Sequence, residues 1–342
     1  MEERHEALTM GEASGAWPLL YCRAGFEAEC AQEIGGGEAE RGSGYVVARA
    51  GAHASSGWRD LIFARQRIEC FARIDDLPRG DRLRPIMAAL AARDESWLDA
   101  WVEAPDSDAG KALAPLCRSF GNALIGALKQ ARRIDPAAAS RLHAFFPQGD
   151  KVYLGTSVPG ASAPWPQGIP RLKFPREAPS RSTLKLDEAL LVLLDDRERE
   201  RWLKPGMSAV DLGASPGGWT WQLVRRSLRV SAIDNGPMDR ALLDSGLVTH
   251  LREDGFRFRP RKPVDWLVCD MVEQPRRIAG LIAQWLREGW CRRAIFNLKL
   301  PMKKRYDETL LCLDLVRATA GDVRAKQLYH DREEITAFAQ RA

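Results

Sequence analysis

The residues best suited to chemistry lie in one segment of this 342-residue sequence, Lys204-Pro-Gly-Met-Ser-Ala-Val-Asp-Leu-Gly-Ala-Ser-Pro-Gly-Gly-Trp219. An apolar run ends in Asp211, a loop with Gly213, Gly217 and Gly218 follows, and a helix is predicted to start near Trp219. Glycines at such a turn let the backbone approach a ligand, and a helix N-terminus offers unbonded N–H groups to a carboxylate or phosphate. The spacing departs from GxGxxG, which weakens a dinucleotide reading. Asp234 closes the next apolar run, 23 residues after Asp211, where a carboxylate accepts hydrogen bonds from ribose hydroxyls. Asp254 follows a third run and Asp270 a fourth. A single glycine-rich turn is common; four acidic residues at four successive strand ends line one sheet edge, where open α/β folds hold ligands.

Such an edge needs alternating elements behind it. Short apolar runs at 208–212, 229–233, 248–252, 266–269 and 293–298 read as strands, and 182–194, 218–226, 240–244 and 277–288 have helical spacing. The alternation predicts a doubly wound α/β domain with a mostly parallel, Rossmann-like sheet over 176–342. Upstream, 17–80 reads as a small ferredoxin-like α+β unit with strands at 17–22, 45–48 and 61–72 and a helix at 26–34. A second α+β unit over 81–160 combines helices at 85–92 and 111–133, interrupted near Pro115, with strands at 97–102, 142–146 and 151–158; its sheet is expected to be antiparallel. Prolines 159, 164, 166 and 170 place a linker over 161–175. Residues 1–16, polar and without period, are expected to be disordered, with Met10 as an alternative initiator.

The run Asp-Leu-Gly-Ala-Ser-Pro-Gly-Gly-Trp at 211–219 resembles the cofactor loop of the FtsJ-like ribose 2′-O-methyltransferases, within the S-adenosylmethionine (SAM) methyltransferase fold. The resemblance implies S-adenosyl-L-methionine as cofactor, no metal, and cofactor contacts at Ser182, Gly213, Ala214, Ser215, Pro216, Gly217, Gly218, Trp219, Asp234, Asp254 and Asp270. It also implies a Lys-Asp-Lys-Glu tetrad. Lys185 in Arg181-Ser-Thr-Leu-Lys-Leu-Asp-Glu188, Asp270 in Cys269-Asp-Met271 and Lys299 in Phe296-Asn-Leu-Lys-Leu300 match its first three members. The fourth falls in Arg332-Glu-Glu-Ile-Thr-Ala337, where register with a final strand favours Glu334 over Glu333.

A ribose 2′-hydroxyl is a poor nucleophile and needs a base within hydrogen-bond reach and an in-line methyl donor. A free lysine, with a pKa of about 10.4, is mostly protonated at neutral pH. A second cation and burial favour the neutral amine, and neighbouring carboxylates favour the ammonium. On this reading Lys299 accepts the proton, Lys185 lowers its pKa and holds the substrate oxygen, and Asp270 and Glu334 orient the amines. Taken singly, a lysine is usually solvated, Asp270 caps a loop and Glu334 pairs with Arg332 or Arg324; their joint occurrence in family order favours catalysis. Exocyclic-amine methyltransferases carry an Asn/Asp-Pro-Pro-aromatic turn where this chain has Asp270-Met-Val-Glu273. Cytosine C5 enzymes need a cysteine nucleophile, and Cys269, inside a strand, reads as a packing residue.

Over almost the whole chain, segments such as Cys22-Arg-Ala-Gly-Phe-Glu27, Gly168-Ile-Pro-Arg-Leu-Lys-Phe-Pro175, Asp234-Asn-Gly-Pro-Met238 and Gln327-Leu-Tyr-His-Asp-Arg-Glu-Glu334 are similar to the RlmM family of 23S rRNA cytidine 2′-O-methyltransferases. That similarity implies a THUMP-type RNA-binding region before the catalytic domain. It also implies a cytoplasmic enzyme acting on one cytidine of 23S rRNA, free or in a large-subunit precursor; no DNA or membrane partner is expected, and a monomer is expected although the sequence does not show the oligomeric state. Ser215 stands where the family has Cys, a change that leaves the backbone contacts intact. Arg171, Lys173, Lys303, Lys304 and Arg305 are candidate phosphate contacts, and Phe174 or Tyr306 could stack on an unpaired base. The competing reading is an rRNA-binding assembly factor that keeps the fold without turnover.

Composition sets outer bounds. With 45% hydrophobic and 28% charged residues the chain resembles an ordinary globular protein, and no apolar run approaches the roughly 18–20 residues of a membrane span. The start MEERHEALTM lacks the pattern of a signal peptide, and seven cysteines without CxxC or CxxH spacing read as reduced thiols with no structural zinc. Residues 1–165 carry 19 basic and 22 acidic side chains, net −3, and residues 166–342 carry 32 and 24, net +8. The partner-facing cationic surface is therefore expected in the second half. Only 11 of the 51 basic residues are lysines, which fits phosphate contacts and equally an Arg-rich codon bias.

Overall fold

The computed structural model describes residues 16–35, 39–48 and 57–342, so the start expected to be disordered, Met10 included, lies outside the described residues up to position 15. Two compact units divide the chain, residues 1–170 and 171–342. The first contains β1 (Trp17–Cys22), α1 (Glu27–Glu33), β2 (Glu40–Gly42), β3 (Tyr45–Val47), β4 (Ala64–Ile74), α2 (Leu83–Ala91), β5 (Ala100–Glu103), α3 (Asp108–Ala112), α4 (Ala114–Gln130), β6 (Arg141–Gln148) and β7 (Lys151–Ser157). The long helical stretch is split at Leu113, and Pro115 sits in the first turn of α4, where its missing N–H costs nothing.

These strands form one seven-stranded sheet in the order β2-β3-β1-β4-β7-β6-β5. The sheet runs on past residue 80, because β4 pairs with β7 from Glu69↔Thr156 to Ile74↔Val152. One expectation is corrected here: the second half is not wholly antiparallel, since β5 runs parallel to β6, as a strand pair joined through α3 and α4 can. The two faces of the sheet, rather than its two halves, carry separate cores. Neighbouring residues of a strand point to opposite faces. Phe145 and Tyr153 accordingly join Leu19, Tyr21, Tyr45 and Ile68, whereas Phe146, Val152 and Leu154 join Ile86, Leu90, Leu124 and Leu128. The proline-rich stretch is fastened to this unit rather than free: Gln66 exchanges hydrogen bonds with Ala163 (3.1 and 3.0 Å), and Gln167 N–H donates to Glu103 Oε1 at 2.5 Å.

The second unit comprises α5 (Thr183–Val192), α6 (Asp196–Trp202), β8 (Ser208–Leu212), α7 (Gly218–Val224), β9 (Arg229–Ile233), α8 (Arg240–Asp244), β10 (Val248–Leu251), β11 (Val264–Cys269), α9 (Pro275–Arg287), β12 (Cys291–Lys299), α10 (Arg305–Arg317), β13 (Ala320–Lys326) and β14 (Glu334–Arg341). Its sheet has the order β10-β9-β8-β11-β12-β14-β13. The first five strands are parallel. β14 inserts antiparallel between β12 and β13. The parallel strands read as apolar runs because both their faces are covered; Trp266 of β11 packs near Phe338 of β14, which stacks on Trp202. Strand order reverses between β8 and β11, so a crevice opens at their carboxyl ends.

Candidate active site

At that crevice β8 turns sharply. Gly213 has φ +77°, and a Cβ there would lie 2.6 Å from Met271 Cγ; Gly217 has φ +118°, and a Cβ would lie 2.4 Å from Leu242 Cδ1. Only glycine takes these conformations without strain, and only glycine fits the space. Asp234, just after β9, has its carboxylate fixed from two sides, by Ser215 N–H at 3.1 Å and Gly236 N–H at 2.7 Å. Asp254 accepts from Phe256 N–H at 2.9 Å.

A cleft of about 420 Å³ is lined by Gly213, Ser215, Ile233, Asp234, Asp254, Phe256, Asp270, Met271 and Val272, among others. That volume is in the range of small-molecule sites. Its chemistry suits a nucleoside, since Asp234 and Asp254 can accept from hydroxyl and amino groups and the apolar side chains can cover a flat base. Of the expected cofactor residues, Ala214, Pro216, Gly217, Gly218, Trp219 and Ser182 are not on its wall. Trp219 is buried, and its indole N–H donates to Ser182 O at 3.0 Å, which ties the loop to the start of α5. Phe256, Met271 and Val272 escaped the sequence reading, although each stands within two residues of an aspartate that did not.

The second cluster is built by strand register. β12 and β14 pair Lys299 with Glu334 and Asn297 with Thr336, two positions of one face. Lys299 Nζ donates to Asp270 Oδ1 at 3.2 Å and to Glu334 Oε2. From α5, Lys185 Nζ bridges to Glu334 Oε1 and lies 3.6 Å from Asp270 Oδ2. Each lysine therefore faces both carboxylates. Glu333 takes no part, since its exposed carboxylate pairs with Arg305 at 3.1 Å. Asn297, a residue with no spacing signal in an apolar strand, donates to Asp270 Oδ1 at 2.8 Å.

The sequence leaves open whether burial and a second cation or the carboxylates govern Lys299. Burial draws the Lys299 amine down, but Asp270 and Glu334 outweigh it, so its pKa is raised above the ordinary lysine value and not lowered. Burial pushes Glu334 up, and hydrogen bonds and charge from Lys185 and Lys299 leave it below the ordinary glutamate value. Beneath the loop, burial pushes Asp211 up to about 7, with Asp270 and Asp234 adding to it against a 2.6 Å bond from Thr220. Burial also pushes the Cys269 thiol up to about 12, which disqualifies it as a nucleophile.

Arg171, Lys173, Lys303 and Lys304 are exposed. Arg171 stacks over Tyr329 (5.0 Å), and Arg181 lies 5.8 Å from the exposed Phe174 ring. Arg305 is turned toward Glu333, and Tyr306 is half-buried. Among the described residues no group of His, Cys, Asp and Glu could hold a metal ion, and no helix is long and apolar enough to cross a membrane.

Two family models match parts of the chain. Residues 178–321 match the model of the FtsJ-like methyltransferases, and residues 81–158 match that of the N-terminal region of ribosomal RNA large subunit methyltransferase M. The FtsJ-like match stops short of Glu334. The chain is 54% identical over 343 aligned positions to ribosomal RNA large subunit methyltransferase M of Xanthomonas campestris pv. campestris (strain B100), covering 94% of this chain and 99% of that protein. The same figures hold for the proteins of that name from Xanthomonas oryzae pv. oryzae (strain PXO99A) and Xanthomonas axonopodis pv. citri (strain 306).

Proposed function

The chain belongs to the ribosomal RNA large subunit methyltransferase M family, and from that premise we propose that it methylates the ribose 2′-hydroxyl of one cytidine in 23S rRNA, using SAM. The observation that carries this reading is the double pairing of Lys185 and Lys299 with Asp270 and Glu334 beside a cleft lined by Asp234 and Asp254. SAM supplies a methyl group on a sulfonium centre, which needs no metal and no covalent intermediate on the protein. Gly213, Ser215, Asp234 and Asp254 would hold it, with Ser182, Trp219 and the rest of the 213–218 loop fixing the shape of the cleft.

Lys299 Nζ accepts the hydroxyl proton in the fraction of molecules where it is neutral, and Lys185 holds the substrate oxygen. Asp270 and Glu334 fix both amines in direction. Exposed Arg171, Lys173, Lys303 and Lys304 neutralise RNA phosphates, and Arg305 adds to them when released from Glu333. Residues 81–160 serve as a THUMP-type RNA-binding region, residues 17–80 support it, and 176–342 carry out the transfer. The protein acts as a cytoplasmic monomer on rRNA or its large-subunit precursor, with no DNA or membrane partner.

The test is methyl incorporation from labelled SAM into unmodified 23S rRNA, offered naked and as precursor particles, with the product nucleoside identified. A 2′-O-methylcytidine product supports the reading. A base-methylated product overturns it, and no incorporation on either substrate favours the assembly-factor alternative. Lys299→Ala should lower transfer by about a hundredfold to ten-thousandfold, the usual contribution of a general base, with SAM affinity unchanged.

A further inference from the structure

We infer that Asp331 is a neutral carboxylic acid at the root of a buried hydrogen-bond chain which, through Thr336 and Asn297, sets the orientation and charge of Asp270. The three are positioning residues for methyl transfer, and the inference rests on Lys299 and Asp270 having the roles proposed above. Asp331, Thr336 and Asn297 are each 0–1% exposed. Thr336 Oγ1 lies 2.7 Å from Asn297 Oδ1 and 3.1 and 3.0 Å from the two carboxyl oxygens of Asp331. Asn297 Nδ2 in turn donates to Asp270 Oδ1 at 2.8 Å, and Leu328 N–H donates to Asp331 Oδ2 at 3.0 Å.

Counting protons fixes the direction of the chain. Asp270 faces Lys299, Lys185 and an amide, all donors, so Asn297 presents its NH₂ to Asp270 and its carbonyl to Thr336. A carbonyl oxygen only accepts, so the single hydroxyl proton of Thr336 is spent on Asn297. A buried hydroxyl oxygen 3.1 Å from Asp331 Oδ1 must then receive a proton from it, because an ionised carboxylate would leave two buried acceptors facing each other. Lys326 of β13, buried and opposite Thr336 in register, shares this face of the sheet. Burial, with Glu334 of β14 and Glu188 of α5 adding, holds the Asp331 carboxyl well above the ordinary range, against opposition from Leu328 N–H and from Lys185 of α5. Each bond in the chain polarises the next, and the last draws charge out of Asp270 Oδ1, the atom that also holds Lys299.

Removing the chain concentrates negative charge on Asp270, which binds the Lys299 ammonium more firmly and makes the neutral amine rarer. Thr336→Val, which keeps the shape and removes the hydroxyl, should therefore move the pH–rate profile of single-turnover methylation upward by about one unit. The rate near neutral pH falls about tenfold, is recovered as pH rises, and SAM affinity is unchanged. Thr336→Ser restores the parent profile. A loss equal at every pH, or an unshifted profile, overturns the inference, since lost packing alone would not be cured by alkali. Difference infrared spectra of the full chain against Asp331→Asn give a direct reading: a protonated-carboxyl stretch at neutral pH supports the assignment, and a carboxylate band overturns it. Lys299→Ala, assayed alongside, separates the two levels. Turnover surviving in it sinks the parent mechanism, and an unshifted Thr336→Val profile beside an inactive Lys299→Ala sinks only the chain.

Discussion

At the scale of single residues, the site inverts the usual picture of a lysine base. Asp270 and Glu334 hold Lys299 above its ordinary pKa, so the charged form dominates at neutral pH and the base of the proposed mechanism is the minority species. The sign follows directly: raising pH increases the competent fraction, about tenfold per unit until the raised pKa is passed. Single-turnover rates at saturating SAM and RNA should climb with a log–log slope near one from about pH 6 to about pH 9. A plateau near neutrality would mean another group takes the proton. The glycines make a separate prediction. Gly213→Ala meets both a positive φ and Met271 on the cleft wall, so SAM affinity should fall at least about tenfold. Gly246→Ala, at φ +73° with nothing within 4 Å, should cost about 1 kcal/mol of stability and leave SAM titration unchanged. The aspartates were legible in the sequence because acidic residues recur at successive strand ends, and both lysines through the resemblance to the FtsJ-like family. Asn297, Thr336 and Asp331 were not, because a polar residue in a buried strand announces itself only when its partners are known. The direction of the Lys299 shift was equally hidden, since it turns on distances of 3–4 Å.

At the scale of elements, periodicity found what has one apolar side and missed what does not. α6 is a run of alternating charges; it is held by a capping box between Asp195 and Glu198, whose carboxylate also takes both Nη atoms of Arg324 on β13 at 2.6 Å. α10 escaped because its apolar residues surround it, leaving Leu311 and Leu315 half-exposed. Burial raises the Glu198 carboxyl, but Arg324 and the Asp195 N–H bring it below its ordinary value. A depressed folded pKa stabilises above the unfolded carboxylate value and ceases to as pH falls through the folded one. Glu198→Gln keeps the cap and removes the charge, so urea unfolding at neutral pH should show a loss of about 1–2 kcal/mol, discounted for partial exposure. The loss should shrink in acid; a deficit independent of pH would place the effect in packing instead.

At the scale of the whole molecule, alternation of strands and helices revealed the doubly wound unit, whereas the single sheet of residues 1–170 stayed hidden because β4 and β7, paired at its centre, lie far apart in sequence. Net charge is similarly informative in one direction only. The +8 of residues 166–342 should make rRNA affinity fall steeply with salt, and Lys303→Glu with Lys304→Glu should flatten the log–log slope by about two, one for each phosphate no longer neutralised. An unchanged slope would remove that turn from the interface. The place of β14 in the sheet carries a consequence in time. It follows both β12 and β13 in the chain yet lies between them in the sheet, and it brings Glu334 with it. Until it arrives the Lys299 edge of β12 is bare and two ammonium groups share one carboxylate. A chain that has formed its cofactor cleft but not yet seated β14 therefore lacks the carboxylate that, on the proposed reading, directs both lysines, so binding of the cofactor and competence for transfer are reached at different moments of folding.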